Sequence, residues 1–337
     1  MGCGASKEIK EDTSAHPFFS TWEKNGRPLV LGHRGGSLVH QENSLAAIKQ
    51  MISAGVDGCE IDVFLSTDGK LFAFHDDNAE RLTGTNLEVI SASWEQLSKL
   101  KLKKELAYDG RTLTFDQEER IPLLSEIFET IKGTKFVLNV EMKPANPSFA
   151  QRGVGTAVAK LIREHGVHNQ VICTSFDFFK LHALEKEFPG LQSGWQYDDD
   201  MTSLLGEANA WFEEEKSIAE HKFDCTASDF NFVRWLMEKD AVGAAVGATV
   251  VGIEHTCIDD DTIEKLHAKK MAVGSYTFFP IDFAAIKRKE TDPAVVERES
   301  KNVLSQLFKR KVDWVETDDA LTTLAYLNEL KSQSPKA

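Results

Sequence analysis

Cys59-Glu60-Ile61-Asp62-Val63-Phe64-Leu65, then Ser66-Thr67-Asp68-Gly69, then Lys70-Leu71-Phe72-Ala73-Phe74-His75, has the pattern of two strands joined by a turn. Both flanks are rich in apolar, β-branched and aromatic residues, and the Asp-Gly step between them marks a tight turn with no room for a crossover helix. The two runs are therefore expected to be adjacent strands. Strand period 2 puts Glu60 and Asp62 on one face, and two carboxylates converging at a strand end repel unless a cation lies between them.

Outward from this hairpin, strand-like runs alternate with helical patterns, the rhythm of α/β architecture. Candidate strands lie at 28–35, 59–65, 70–75, 135–142, 170–176, 192–197, 249–254, 272–278 and 312–317. Asn43 to Ala54 has apolar residues at 45, 48, 51 and 52 with Gly55 as a stop, which predicts a helix after the first strand. The expected fold is a TIM-type (β/α)8 barrel, and nine candidates mean that one strand stands outside it or is misjudged. Segments 99–120 and 198–248 interrupt the rhythm and read as insertions, one after the early hairpin and one in the second half. Within them the basic run Lys99 to Lys104 reads as a solvated helix face rather than a lipid contact, and Gly243 to Ala248 as flexible.

A length of 337 residues with 42% hydrophobic residues supplies ample core, which excludes global disorder. The formal net charge of −14 excludes general nucleic-acid binding, because phosphate backbones would repel the chain. Five scattered cysteines without a CxxC pair argue against a disulfide framework or a zinc knuckle. No apolar run approaches the ~20 residues that span a bilayer.

The N-terminus carries a different signal. Met1-Gly2-Cys3-Gly4-Ala5-Ser6 fits the pattern for myristoylation of Gly2, and Cys3 beside it suits palmitoylation as the second signal that stable anchoring requires. The expectation is a eukaryotic protein held by acyl chains on the cytoplasmic face of a membrane. Its domains would be a tail and linker over 1–27, a barrel over 28–330 and a short tail over 331–337. As a coil, residues 8–27 would span about 25 Å.

The chemistry gathers at strand ends. Glu141 and Lys143 repeat the i, i+2 geometry, so three hard oxygen ligands from two strands, Glu60, Asp62 and Glu141, would suit Ca²⁺ or Mg²⁺. His33-Arg34-Gly35-Gly36 closes the first strand with an imidazole and a phosphate-gripping guanidinium, and His75 ends the hairpin. Two histidines could flank one phosphorus, one removing a proton and the other giving one to the leaving oxygen.

In these ordered motifs the chain resembles the glycerophosphodiester phosphodiesterases. The matching stretches are LGHRGGS (31–37), QENS (41–44), GVDGCEIDVFLSTDGKLFAFHDDNAERLTG (55–84), NVEMK (139–143) and VDWVETD (312–318), dense in the first half and thin in the second. The resemblance implies a TIM-type barrel, one divalent cation, and hydrolysis of glycerophosphodiesters to glycerol 3-phosphate and an alcohol. It implies Glu60, Asp62 and Glu141 as metal ligands, His33 and His75 as acid and base, Arg34 and Lys143 as phosphate-binding groups, and Glu42 as a supporting carboxylate near the metal. In the family scheme the substrate's glycerol hydroxyl can attack phosphorus before water opens a cyclic product. Lysophospholipids cleaved on the headgroup side are the alternative substrate, and a catalytically idle acylated scaffold the alternative from another class. Three departures stand out. Gln41 replaces the proline of the Pro-Glu-Asn motif, Tyr276-Thr277-Phe278-Phe279 replaces Trp-Thr-Val-Asn, and Trp314 stands where glycine is usual. Tyr276 is then either a pocket wall beside the glycerol or packing at the barrel rim.

Overall fold

A computed structural model describes residues 16–108, 111–198, 232–276 and 292–334. Gly2 and Cys3, most of the second insertion, and the Thr277-Phe278-Phe279 departure lie outside the described residues. Thirteen strands are described: β1 Leu29–Gly32, β2 Gly58–Leu65, β3 Leu71–Ala73, β4 Lys101–Leu102, β5 Glu105–Tyr108, β6 Arg111–Thr114, β7 Glu119–Arg120, β8 Val137–Met142, β9 Val171–Ser175, β10 Ser193–Tyr197, β11 Val250–Glu254, β12 Ala272–Tyr276 and β13 Trp314–Thr317. Eight of them run parallel in the order β1-β2-β8-β9-β10-β11-β12-β13, and β1 pairs with both β2 and β13, so the sheet closes into the expected barrel. The ninth candidate is accounted for by β3, which pairs antiparallel with β2 across Phe64 and Phe72 outside the barrel.

Helices cover the strands because their apolar faces have nowhere else to go. The helix Leu45–Ser53 starts where the Ser44 side chain accepts from Ala47 N–H, and it buries Ile48 and Met51 against the sheet. Along β2 the odd residues Cys59, Ile61 and Val63 face this helix layer, leaving Glu60 and Asp62 to the barrel interior. The insertion at 99–120 is two short antiparallel pairs, β4 with β7 and β5 with β6. Its basic run is not a helix face: Lys101 is exposed on a strand edge while Leu102 is buried in a second cluster with Phe64, Phe72 and Leu82. Nor is Gly243 to Ala248 a loop throughout, since Ala241–Val246 is helical.

The barrel floor corrects two expectations. Residues 16–27, read as linker, are folded: Phe18 is completely buried among Leu29, Val137, Ile172, Val250 and Ala272, plugging the N-terminal end of the strands. Trp22 Nε1 donates to Val312 O at 2.9 Å and pins the same segment to the last strand's approach. Trp314, the apparent misfit, is 1% exposed in that floor and meets Phe18 edge-on at 5.3 Å. Its indole occupies the space a side chain on Gly274 of the neighbouring strand would need, because a Cβ there would come within 1.8 Å of the ring. A large residue on one strand is thus accommodated by the missing one on the next.

His16 begins the plug, 6% exposed, with Nε2 3.3 Å from His168 O. Burial, against the hydrogen bond to that carbonyl, lowers its pKa from 6.5 to about 4. Between those values the unfolded chain binds a proton that the folded chain refuses. The stability is therefore complete above pH 6.5 and lost as pH falls toward 4, up to about 3 kcal/mol. Urea unfolding of His16→Gln from pH 7 to 4 is expected to lack this fall, and curves parallel to wild type would refute the assignment.

Candidate active site

At the opposite end of the strands the polar residues converge. After β1 the chain turns through Arg34, Gly35 and Gly36 at φ of 49°, 81° and 94°. Gly36 is required there, since a Cβ would lie 2.8 Å from Met51 Sδ. Arg34 holds a left-handed conformation that non-glycine residues seldom adopt, and it aims the Arg34 N–H at Glu60 Oε2, 2.9 Å away. His33, Arg34, Glu60, Asp62, His75, Glu141, Lys143 and Tyr276, all expected from the sequence, line one cleft.

Carboxylates dominate its base. Oxygens of Glu60, Asp62 and Glu141 lie within 4.8 Å of one another, and the three residues are 1%, 1% and 7% exposed. Adjacent strands impose this: Asp62 stands in register with Glu141, and Glu60 with Asn139. Lys143 Nζ sits 2.9 Å from Glu141 and 3.3 Å from Asp62. Asn43, at φ 57°, grips Asp62 from the other side, donating Nδ2–H to Oδ2 at 2.8 Å and accepting the Asp62 N–H at 3.1 Å. Burial opposes ionisation of Asp62, but Lys143, His75 and Arg34 outweigh it and hold the carboxyl well below the usual range. Glu60 goes the other way: burial, then Asp62, Glu316 and Glu141, push its carboxyl well up. Its Oε1 is buried without a hydrogen-bond partner, whereas Glu141 Oε1 is met by Lys143 Nζ. Clustered hard oxygens, one of them unsatisfied on a carboxyl that resists ionisation, fit a divalent cation of the Mg²⁺ or Ca²⁺ type.

Each histidine is backed by an aspartate. His75 Nδ1 is 2.8 Å from Asp76 Oδ1, and its Nε2 is 2.9 Å from Arg34 Nη2. Arginine has no acceptor, so Nε2 must accept and Nδ1–H must donate, leaving the lone pair on the nitrogen that faces the cleft. His33 Nδ1 lies 2.6 Å from Asp318 Oδ1, with Nε2 4.0 Å from Glu60.

Several of these partners escaped the sequence reading. Asn43, Asp76, Asp318 and Glu316 all sit within the matching stretches, but no local pattern marks the first three. Glu316 was the most detectable, since it follows Trp314 by two residues on β13 and so shares its inward face, as Asp62 follows Glu60; Asn139 and Trp314 donate to its Oε1 at 2.6 and 2.9 Å. Phe176, Gln196 and Glu254 line the other half of the cleft, where Tyr276 donates its hydroxyl to Tyr197 O at 2.6 Å. Glu42 departs from expectation. It does not line the cleft; it lies 3% exposed between Arg34 at 3.1 Å and Arg81 at 2.7 Å, occupied in holding guanidinium groups.

Residues 33–322 match the model of the glycerophosphoryl diester phosphodiesterase family. The chain belongs to that family. A glycerophosphodiester phosphodiesterase of Caldanaerobacter subterraneus is 34% identical over 173 residues, 51% of this chain and 67% of the relative. The human protein named lysophospholipase D GDPD1 is 29% identical over 135 residues, 40% of this chain and 42% of its own length. A solved structure from Silicibacter pomeroyi superposes with a TM-score of 0.66 at 16% identity, covering 94% of this chain and 98% of that one, a likeness of fold.

The raised Glu60 carboxyl makes a measurable demand. A cation entering the cluster competes with the proton that burial and the neighbouring carboxylates favour on Glu60, so affinity should rise with pH. Calorimetric titration with Mg²⁺ or Ca²⁺ is expected to show tighter binding at pH 8 than at pH 6 and heats that depend on the buffer, and Glu60→Gln should abolish both. Binding independent of pH would contradict this account.

Proposed function

We propose that this family member hydrolyses glycerophosphodiesters to sn-glycerol 3-phosphate and an alcohol in a reaction that depends on one divalent cation. One observation carries the reading: the Glu60, Asp62 and Glu141 cluster shares its cleft with two histidines, a guanidinium and an ammonium. Those three carboxylates would hold Ca²⁺ or Mg²⁺, which when bound supplies a positive charge opposite the non-bridging phosphate oxygens. Arg34 and Lys143 add fixed donors for the same oxygens, a preorganised electrostatic contribution of the kind that dominates such reactions. Proton movement falls to the histidines. His75 Nε2, whose lone pair accepts from Arg34 Nη2 in the substrate-free cleft, takes the proton of the attacking hydroxyl once Arg34 turns to the phosphate, and His33, backed by Asp318, gives one to the leaving alcohol oxygen as its bond to phosphorus breaks. With water as attacker this one step gives the products; with the substrate's glycerol hydroxyl it gives a cyclic phosphate, which water then opens with the roles reversed, His33 taking the proton of water and His75 returning its own to the ring oxygen that leaves.

An acylated N-terminus would hold the enzyme at the cytoplasmic face of a membrane, with myristate on Gly2 and palmitate on Cys3. Among the described residues no helix is long and apolar enough to cross a bilayer. The chain enters the barrel at His16 on the floor, opposite the cleft. A short tether there would turn the mouth away from the bilayer, which favours water-soluble glycerophosphodiesters. Lysophospholipids are the second reading, supported by the name of the human relative. An idle scaffold accords poorly with a complete set of opposed acid, base and phosphate-binding groups.

Phosphorus NMR with glycerophosphocholine and lysophosphatidylcholine together is expected to show glycerol 3-phosphate first, and nothing in EDTA or with Glu141→Ala. Lysophosphatidic acid appearing first would transfer the reading to lysophospholipase D. For the anchor, Gly2→Ala is expected to move the protein from the membrane to the soluble fraction of expressing cells. Retention on membranes would exclude myristate as the tether.

A further inference from the structure

Arg81 lies outside the cleft, yet its guanidinium joins the two carboxylates that stand behind Arg34 and His75. It stands on the short helix Glu80–Thr83, 38% exposed at its side chain. Its guanidinium donates to both oxygens of Glu42, at 2.7 and 2.8 Å, and to both oxygens of Asp76, at 2.6 and 2.9 Å. Glu42 in turn holds Arg34 and Asp76 holds His75, while Arg34 and His75 meet at 2.9 Å. The five side chains form a closed hydrogen-bonded ring, two guanidinium groups, two carboxylates and one imidazole, in which only Arg34 and His75 face the cleft.

This ring is fastened to the first insertion. Lys103 Nζ donates to Glu80 O and Arg81 O at 3.1 and 3.0 Å, and Lys103 N–H donates to Leu82 O at 2.8 Å, so the insertion grips the backbone of the helix that carries Arg81. Gln41 supplies the second fastening. It is fully buried, and its amide Nε2 donates to Lys103 O at 3.2 Å and Gln117 O at 2.6 Å. Gln41 precedes Glu42 directly, and a proline at this position could make neither bond. The residue that departs from the family motif thus supplies one of the two ties between the insertion and the ring.

We propose that the insertion around residues 101–120 is a positioning device, acting through Gln41, Lys103 and Arg81 to set the orientation of His75 and the reach of Arg34. A planar guanidinium engaging two carboxylates at once fixes their separation, which an ammonium cannot do. Without it Glu42 has Arg34 as its remaining partner and Asp76 has His75, so the two carboxylates behind the Arg34–His75 contact are no longer held at a fixed separation. Arg81 is a positioning residue, since it reaches the cleft only through these two carboxylates.

The kinetic arm of the test rests on the phosphodiesterase reading; a spectroscopic arm does not. Arg81→Ala is expected to lower kcat on glycerophosphocholine by about 10–100-fold with a far smaller change in KM. Arg81→Lys should restore little, while millimolar guanidinium added to Arg81→Ala should recover part of the loss. Gln41→Met should lower kcat in the same sense by less. Imidazole ¹⁵N resonances in the absence of substrate should show His75 protonated at Nδ1 in wild type and as a tautomer mixture in Arg81→Ala. Unchanged kcat and an unchanged His75 tautomer in a folded Arg81→Ala protein would overturn the proposal. So would activity losses matched entirely by the unfolded fraction in thermal melts, with the folded remainder keeping its tautomer. Should wild type hydrolyse no glycerophosphodiester, the function fails and the ¹⁵N measurement alone decides the positioning role.

Discussion

Mutual repulsion among Glu60, Asp62 and Glu141 is the constraint on which the rest of the mouth depends. Three carboxylates buried within 4.8 Å of one another would be costly in any protein interior. The surrounding residues divide that cost. Lys143 lies against two of them, Asn43 supplies a donor to the second, and the strained Arg34 backbone turns its N–H toward the first. What these donors leave unsatisfied is the buried Glu60 Oε1, and an unsatisfied oxygen among clustered carboxylates is what a cation site offers. The arrangement sacrifices folding stability locally so that charge is already organised before substrate arrives.

The same logic explains why aspartates sit behind both imidazoles. A histidine at a polar strand end can present either nitrogen, and only a fixed acceptor on Nδ1 commits Nε2 to the cleft. Asp76 does this for His75 from the next residue in the chain, while Asp318 does it for His33 across the closure of the barrel. The joining of β13 to β1 is therefore part of the site and not only of the fold: Gly32 and Thr317 are in register, and His33 and Asp318 are the residues that follow them.

Legibility in the sequence followed distance along the chain. The β2–β3 hairpin, the Gly35-Gly36 turn and the Glu60–Asp62 pair were readable because each is a local pattern with a local cause. Asp318 stands 285 residues from its partner, so no window of sequence joins them. Arg81 sat in a quoted motif, yet its two carboxylate partners approach from opposite sides only after β3 folds back. The plug was unreadable for another reason: Pro17-Phe18-Phe19 is too short to show a period, and its burial is created by the barrel floor rather than by its own pattern. The Lys99 run misled because alternate lysines and leucines fit a strand edge as well as a helix face, and two-residue strands leave no periodicity to decide between them.

Trp314 joins the two ends of this molecule. Its ring fills the floor beside Phe18 in the volume vacated by Gly274, while its indole N–H reaches up to Glu316 Oε1 at 2.9 Å. Asn139 shares that oxygen and is itself braced by Thr174, whose hydroxyl donates to Asn139 Oδ1 at 2.9 Å. Glu316 is thus held by donors while burial raises its carboxyl, and it adds to the field that raises Glu60. A glycine at 314 could supply neither the packing nor the donor. The substitution that made the last strand look ill-fitting therefore ties the apolar floor, where the chain enters, to the charged mouth, where the chemistry is assembled.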